Sequence, residues 1–183
     1  MIVLIGKTSS GKDRVSNELV KKHGYKKVMR YTTRPIRENE KDGDTYHYIS
    51  TYDFCDKIKE NFFCEWKDYL TTSNLWYYGT AWEDMEDADD KTVIILPPDR
   101  YEEIKNIGKN FTSIYIYANN ETLKNRLERR GDDKNEAKRR LENDNEDFKG
   151  VENMVDKIVY NNDGTNIDGV VKKILEFVGE KNE

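Results

Sequence analysis

Short apolar runs alternate with amphipathic segments along most of this chain. Runs rich in Ile, Val and Tyr predict core strands at residues 2–5, 26–30, 92–96, 113–117 and 157–160. Apolar positions spaced three and four apart predict helices at residues 12–22, 98–107, 121–130, 135–148 and 167–178. Strands that alternate with helices in this way are typical of a parallel sheet with helices on both faces. The pattern therefore predicts a three-layer α/β fold built on a five-stranded parallel sheet.

This alternation changes between residues 31 and 80. Short aromatic-rich runs predict strands at 46–49, 62–67 and 75–78, and a predicted helix at 52–59 would be capped by Ser50 or Thr51. We interpret residues 31–80 as an α+β subdomain inserted into a single domain that spans residues 1–183.

Composition restricts the partners of the chain. Its 183 residues carry a net charge of −5 at pH 7, which argues against a broad surface for nucleic acid. No apolar stretch is long enough to cross a bilayer, and no basic segment precedes the first apolar run. Two isolated cysteines, Cys55 and Cys64, fit a reducing compartment. We therefore expect a cytoplasmic protein, a monomer or homodimer, that binds neither nucleic acid nor membranes.

A glycine-rich loop follows the first predicted strand directly. Gly6, Gly11 and Lys12 satisfy the pattern G-x-x-x-x-G-K, and a predicted helix begins at the end of the loop. In such loops the glycines let backbone N–H groups point at an anion, and the lysine reaches the terminal phosphates. The loop predicts a nucleoside triphosphate site formed by Gly6, Ser9, Ser10, Gly11, Lys12 and Asp13. Asp13 takes the place of the usual Ser or Thr that holds magnesium, and its carboxylate is also a suitable Mg²⁺ ligand.

A second cluster of hydroxyl and basic residues lies in the inserted segment. Thr32 and Thr33 precede Arg34, and Arg37 follows three residues later. Guanidinium groups match phosphate oxygens with paired hydrogen bonds, so these arginines predict a second phosphate site. A solvated turn with surface arginines is the alternative interpretation.

The ordered set of motifs is similar to that of one known family. After the glycine-rich loop come T-T-R-x-x-R, G-x-x-Y, E-W, Y-Y-G-[ST] and R-x-x-x-R-G. Each motif is short, but the set in this order resembles the guanylate kinase family of nucleoside monophosphate kinases almost from end to end. The resemblance implies a P-loop fold with a helical lid, here residues 126–142. It also implies ATP and Mg²⁺ as cofactors and small nucleotides as substrates.

The same resemblance implies which residues bind the acceptor. By motif position, the acceptor phosphate would be held by Arg34, Arg37, Tyr46 and Tyr78. Glu65 corresponds to a glutamate that accepts hydrogen bonds from guanine N1 and N2, because guanine offers two adjacent donors there. Gly79 and Thr80 belong to the motif whose hydroxyl makes a further base contact. Taken alone, Glu65 fits a carboxylate on a strand surface equally well.

The lid arginines are assigned by this resemblance too. Arg126, Arg130 and Arg140 would neutralise the charge that spreads over the transferring phosphoryl group, with Lys12 as a further catalytic residue. Asn161 matches an asparagine near the adenine of ATP. Without the resemblance, the arginines fit a solvated helix pair with weak surface ion pairs, and Asn161 fits a turn at a strand end.

Three positions depart from the family pattern. Besides Asp13, Arg30 stands where the family has a base-contacting serine, and residues 96–99 replace an aspartate-rich strand end. The reaction that the motifs imply is transfer of the γ-phosphoryl group of ATP to GMP or dGMP. One alternative is a kinase of the same fold that acts on another nucleoside monophosphate or a phosphorylated sugar. The other is a guanylate-kinase-like binding module that has lost catalysis.

Overall fold

The computed structural model describes residues 1–38, 40–44, 46–71 and 74–179. The strands are β1 (Ile2–Ile5), β2 (Lys26–Lys27), β3 (Arg30–Thr32), β4 (Tyr46–Tyr48), β5 (Phe63–Leu70), β6 (Leu75–Ala81), β7 (Thr92–Ile95), β8 (Thr112–Tyr117) and β9 (Lys157–Tyr160). The helices are α1 (Lys12–His23), α2 (Thr51–Lys59), α3 (Trp82–Glu86), α4 (Pro98–Ile104), α5 (Asn120–Arg130), α6 (Lys134–Asp147) and α7 (Ile167–Phe177). In these described ranges, no helix is both long and apolar enough to cross a bilayer.

Five parallel strands form the central sheet in the order β2-β7-β1-β8-β9. β1 occupies the middle, with Ile2 aligned to Val93 of β7 and to Thr112 of β8. All four β1 residues are buried, because helices cover both faces of the sheet. Ile2 packs with α1 and α7, whereas Val3 packs on the opposite face with α4 and the end of α6. This three-layer arrangement confirms the α/β fold class.

A second, four-stranded sheet has the order β4-β3-β6-β5 and spans residues 30–81. β3 is parallel to β4, and the β3–β6 and β5–β6 pairs are antiparallel. The N-cap of α2 is Ser50, whose hydroxyl accepts a hydrogen bond from the Asp53 amide at 3.0 Å. The division of the chain into an inserted subdomain at 31–80 and a lid at 126–142 stays a prediction.

The single strand expected at residues 26–30 is wrong, because the structure divides this run between the two sheets. Lys26–Lys27 pairs with β7 in the central sheet, whereas Arg30 begins β3 in the second sheet. Between them, the Val28 amide still donates to Val93 O at 3.0 Å. Strand propensity along a short run does not identify which sheet a strand joins.

One predicted helix also ends differently. The helix expected at 98–107 ends as an α-helix at Ile104, and a 3₁₀ turn at Lys105–Ile107 completes the segment. Gly108 follows with a φ of +80°, a left-handed conformation that glycine adopts without a steric penalty. The glycine therefore stops the helix where the hydrophobic pattern alone does not show an end.

Gly79 lies in β6 where the aromatic core leaves no room for a side chain. A Cβ atom there would lie 2.9 Å from Cδ1 of Phe63 and 3.0 Å from Cζ of Phe54. We expect Gly79→Ala to lower the free energy of unfolding by about 1–3 kcal/mol, the range for overpacked cores. Gly169→Ala in α7 is the control, because its Cβ would meet no atom within 4 Å. Denaturant unfolding measures both variants, and equal stabilities would contradict the packing argument.

Candidate active site

A cavity of about 470 Å³ opens where β1 and β7 end, between the central sheet, the second sheet and α6. Parallel sheets commonly bind ligands at this edge, because the loops that follow the strands meet there. Many of the predicted site residues line it: Gly6, Ser9, Lys12, Asp13, Arg34, Arg37, Tyr46, Tyr78, Arg130 and Arg140. The remaining predicted site residues lie outside its lining: Ser10, Gly11, Glu65, Gly79, Thr80, Arg126 and Asn161.

The glycine-rich loop turns from β1 into α1 at the cavity wall. Gly11 adopts a left-handed conformation with a φ of 95°, and α1 begins at Lys12. The Ser10 amide and Lys12 Nζ both donate to Lys7 O, each at 3.1 Å. The N-terminus of α1 therefore faces the cavity, where its amide groups and its dipole favour an anion.

Arg126 and Asn161 hold the loop from its far side. Arg126 Nη1 donates to the carbonyl oxygens of Ser9 and Ser10, both at 3.2 Å, and Nη2 donates to Asn161 O at 2.9 Å. Asn161 Nδ2 donates to Ser10 O at 2.8 Å, and a side chain at Gly11 would overlap this amide group. Both residues are thus located where they position the loop. Their other expected roles, in charge neutralisation and adenine contact, stay predictions.

Four of the six arginines that line the cavity are the predicted site residues Arg34, Arg37, Arg130 and Arg140, and we call them the arginine cluster. They come from the segment after β3, the end of α5 and the middle of α6. Burial lowers the pKa of Arg37, and the positive charges of the other three arginines lower it further. Guanidinium groups that are this close together form a strong site for a phosphate.

Carboxylates of the protein itself balance this positive charge. Glu40 holds Arg34 with two hydrogen bonds, of 2.8 and 2.9 Å. Burial raises the pKa of Glu40, but hydrogen bonds from Arg34 and its neighbours outweigh that effect and lower the pKa to about 2. Asp132 similarly accepts a hydrogen bond from Arg130 Nε at 2.6 Å. A phosphate that enters the cavity would replace some of these partners.

Glu65, the expected contact of the base, is part of a buried ion pair. Its side chain is 0% exposed. Arg30 Nη2 donates to both carboxylate oxygens, at 2.8 and 3.1 Å, and Arg30 Nε donates to Oε1 at 3.2 Å. The Thr80 hydroxyl also donates to Oε1. Of these three side chains, Arg30 alone lines the cavity.

Asp144, Lys27 and Tyr69 are among the cavity residues that lie outside the motifs. Asp144, on α6, accepts a hydrogen bond from the Thr8 amide of the glycine-rich loop at 2.5 Å. Lys27 lies near Asp13, and burial lowers its pKa. Tyr69 lines the cavity from β5. Thr8 and Asp144 are 136 positions apart, so no local spacing indicates their contact, and the aromatic alternation of β5 is only a weak signal for Tyr69.

Comparison with known proteins assigns the chain to a family. A family model described as guanylate kinase matches residues 1–181. The chain belongs to the guanylate kinase family. The curated guanylate kinase of Wolinella succinogenes is 33% identical over 144 residues, which cover 75% of this chain and 65% of that protein. The chain thus spans just under two thirds of the length of this relative.

Two other guanylate kinases extend the comparison over nearly the whole chain. That of Prochlorococcus marinus is 28% identical over 184 residues, which cover 97% of this chain and 96% of the relative. The crystal structure of guanylate kinase from Anaplasma phagocytophilum matches with a TM-score of 0.70 at 20% identity, over 97% of this chain and 83% of that one. The structural match supports the fold, and the family match confirms the resemblance seen in the motifs.

Asp144 holds the Thr8 amide of the glycine-rich loop, so we expect its carboxylate to compete with an anion that binds there. Burial raises the pKa of this carboxyl group, and the Thr8 amide and Lys12 oppose that shift. We expect Asp144→Asn to raise the affinity for inorganic pyrophosphate by about three- to tenfold, because a negative charge near Lys12 is removed. Calorimetric titration measures this affinity.

The control for this prediction is Glu146→Gln, which removes the same charge from an exposed position on α6. Its pyrophosphate affinity should match that of the parent protein, because an exposed charge is screened by solvent. Equal affinities for all three proteins would show that Asp144 does not compete with the anion.

Proposed function

We propose that this protein is an ATP-dependent nucleoside monophosphate kinase that transfers the γ-phosphoryl group of ATP to GMP or dGMP. The products are ADP and GDP or dGDP. The observation that carries the proposal is that the glycine-rich loop and the arginine cluster share one cavity. In-line phosphoryl transfer needs a triphosphate site and an acceptor site that face each other in this way. Membership in the guanylate kinase family supports the same activity.

The two ends of the cavity have different roles in this proposal. Lys12 and the loop amides bind the β- and γ-phosphates of the donor. Arg34 and Arg37 bind the acceptor phosphate together with Tyr46 and Tyr78, whose rings lie edge to face at 5.7 Å. The attacking oxygen belongs to a phosphate that is largely ionised at neutral pH, so the reaction needs no general base.

Arg130 and Arg140 act on the charge of the transition state. They come from the two helices α5 and α6, and Asp132 and Glu136 hold them at the cavity through bonds of 2.6 and 2.8 Å. During transfer, negative charge spreads over the oxygens of the moving phosphoryl group. Cations that are already in position stabilise this charge without reorganisation, which lowers the barrier.

Asp13 fits a supporting role toward a magnesium ion bound with ATP. It is exposed at the start of α1 and lines the cavity, and its carboxylate has no hydrogen-bond partner in the described part of the chain. The described residues contain no group of three or more metal-ligating side chains. Mg²⁺ is commonly held by one or two carboxylates together with phosphates and waters, so one carboxylate is compatible. When bound, Mg²⁺ neutralises charge on the phosphates.

A coupled assay of ADP release tests the proposed activity with a panel of monophosphates and phosphorylated sugars. We expect GMP and dGMP to stimulate ADP release, and Lys12→Ala to lower kcat by about 10²–10³-fold, as for the loss of a charge-stabilising donor. Lys21→Ala, exposed on α1, is the matched control.

Other outcomes of this assay distinguish the alternatives. Stimulation by a phosphorylated sugar but by no monophosphate would overturn the proposal and favour another kinase of this fold. Tight GMP binding without any ADP release would favour a binding module. Full activity of Lys12→Ala would show that the glycine-rich loop does not form the donor site.

The acceptor phosphate site is tested by Arg37→Ala, because the Arg37 side chain is half-exposed and its Nη1 lies 3.9 Å from Glu40 Oε1, beyond hydrogen-bond distance. We expect the affinity for the monophosphate to fall by about 1.5–3 kcal/mol, the range for hydrogen bonds to charged groups. ATP affinity should change little. Arg14→Ala, exposed on α1, controls for the loss of charge. Calorimetry measures the affinities, and an equal loss of affinity for the monophosphate and for ATP would contradict the division into two sites.

The role of Asp13 is tested by magnesium titration of the ADP-release activity. Asp13→Ala should require more Mg²⁺ for half-maximal activity, because one oxygen ligand is lost, whereas Asp13→Ser should resemble the parent protein. Identical titrations for Asp13→Ala and the parent would exclude Asp13 from the metal site. The cytoplasmic location and the monomeric or homodimeric state stay predictions.

A further inference from the structure

Arg30, Glu65 and Thr80 form a closed cluster of hydrogen bonds beside the cavity. The strand register places Glu65 of β5 opposite Thr80 of β6, and Arg30 reaches both from the start of β3. Arg30 Nε donates to the Thr80 hydroxyl at 3.2 Å, and that hydroxyl donates to Glu65. The polar atoms of Glu65 and Thr80 are thereby engaged inside the protein, and both residues are buried.

A guanine base would have to break this cluster in order to reach Glu65. Guanine N1–H and N2–H are neutral donors, whereas Arg30 is a charged donor that holds both oxygens of Glu65. Moving Arg30 away would take its buried guanidinium group from its carboxylate partner, and hydrogen bonds from guanine to Glu65 would not replace that partner. Glu65 is therefore unavailable to the base while Arg30 is in place.

Arg30, in contrast, has one nitrogen left for a ligand. Nη1 has no hydrogen-bond partner among the described residues, and it is not one of their buried unpartnered side-chain atoms. Arg30 lines the cavity together with Tyr46 and Tyr69. Since a guanidinium group only donates hydrogen bonds, the edge of a base that meets Nη1 has to carry acceptors.

We propose that Arg30 determines base specificity, and that the acceptors are 6-oxopurine nucleoside monophosphates with no requirement for a 2-amino group. This inference rests on the proposed kinase function. The O6 and N7 atoms of a 6-oxopurine are the acceptor pair that arginine and lysine recognise in guanine elsewhere. Hypoxanthine carries the same pair and lacks the 2-amino group that Glu65 is not free to bind. Adenine presents a donor at position 6, which opposes Nη1.

The first test compares kcat/KM for GMP, IMP and AMP in the ADP-release assay. The values for GMP and IMP should lie within about tenfold of each other, and the value for AMP should be at least about 100-fold lower, because two opposed donors leave buried groups unpaired. A preference for GMP over IMP of about 100-fold or more would overturn the inference. Equal kcat/KM values for AMP and GMP would also overturn it.

Two variants separate the roles of Arg30 and Glu65. Arg30→Ser frees Glu65 for guanine N1 and N2, so the ratio of kcat/KM for GMP to that for IMP should rise by at least about tenfold. Arg30→Lys keeps a cation beside Glu65 but removes the donor toward the base, so GMP and IMP should lose kcat/KM together. Arg14→Ser, exposed on α1, is the control.

Thermal unfolding shows whether each variant is folded. If Arg30→Ser does not fold, the kcat/KM values of Arg30→Lys test the role of Arg30. Unchanged kcat/KM values in a folded Arg30→Lys variant would overturn the role of Arg30. An unchanged ratio of kcat/KM for GMP to that for IMP in a folded Arg30→Ser variant would also overturn the role of Arg30.

Calorimetric measurement of nucleotide affinities tests this inference separately from the proposed function. If no monophosphate accepts a phosphoryl group, the proposed function fails, whereas similar affinities for GMP and IMP with weak AMP binding still support base selection by Arg30. Phosphoryl transfer to GMP, with IMP bound at least about 100-fold more weakly, would leave the function intact and overturn the inference.

Discussion

Charge compensation within the cavity is the constraint on which the rest of the site depends. The chain carries a net charge of −5, yet the arginine cluster and Lys12 concentrate positive charge around one cavity. This charge is balanced by the carboxylates of Glu40, Glu136 and Asp144 in the cavity walls and of Asp132 beside them. Basic and acidic residues are therefore placed as partners. In the proposed function, a phosphate that binds here would therefore replace carboxylate partners of the arginines.

This exchange has a geometric benefit as well as an energetic cost. Glu40 holds Arg34 by two bonds, so the guanidinium fork is already oriented before a phosphate arrives. On the other side of the cavity, Arg126 and Asn161 fix the carbonyl groups of the glycine-rich loop. Ordering the two anion sites in advance reduces the entropy that is lost on binding and keeps the reacting groups aligned.

Features with local causes were predictable from the sequence. β1 is a run of four apolar residues before a glycine, and α1 and α5 end at Gly24 and Gly131, which adopt left-handed conformations. The two proposed phosphate sites correspond to short motifs, the glycine-rich loop and the pair Arg34 and Arg37, which line one cavity. Features with distant causes were not predictable, such as the division of residues 26–30 between two sheets and the contact of Asp144 with the loop. These depend on which segments meet in three dimensions.

The pair of Arg30 and Glu65 shows why a residue at a motif position does not always keep the role of that motif. Glu65 stands beside Trp66 as the motif requires, but an arginine 35 positions earlier determines what its carboxylate contacts. Removing one partner of a buried ion pair costs about 3–5 kcal/mol, and a single hydrogen bond to a charged group contributes about 1.5–3 kcal/mol. Arg30 already donates to both carboxylate oxygens of Glu65, so a base that approaches Glu65 has to compete with a charged partner for them. The contact between Arg30 and Glu65 depends on the register of β3, β5 and β6, and no single motif contains all three strands.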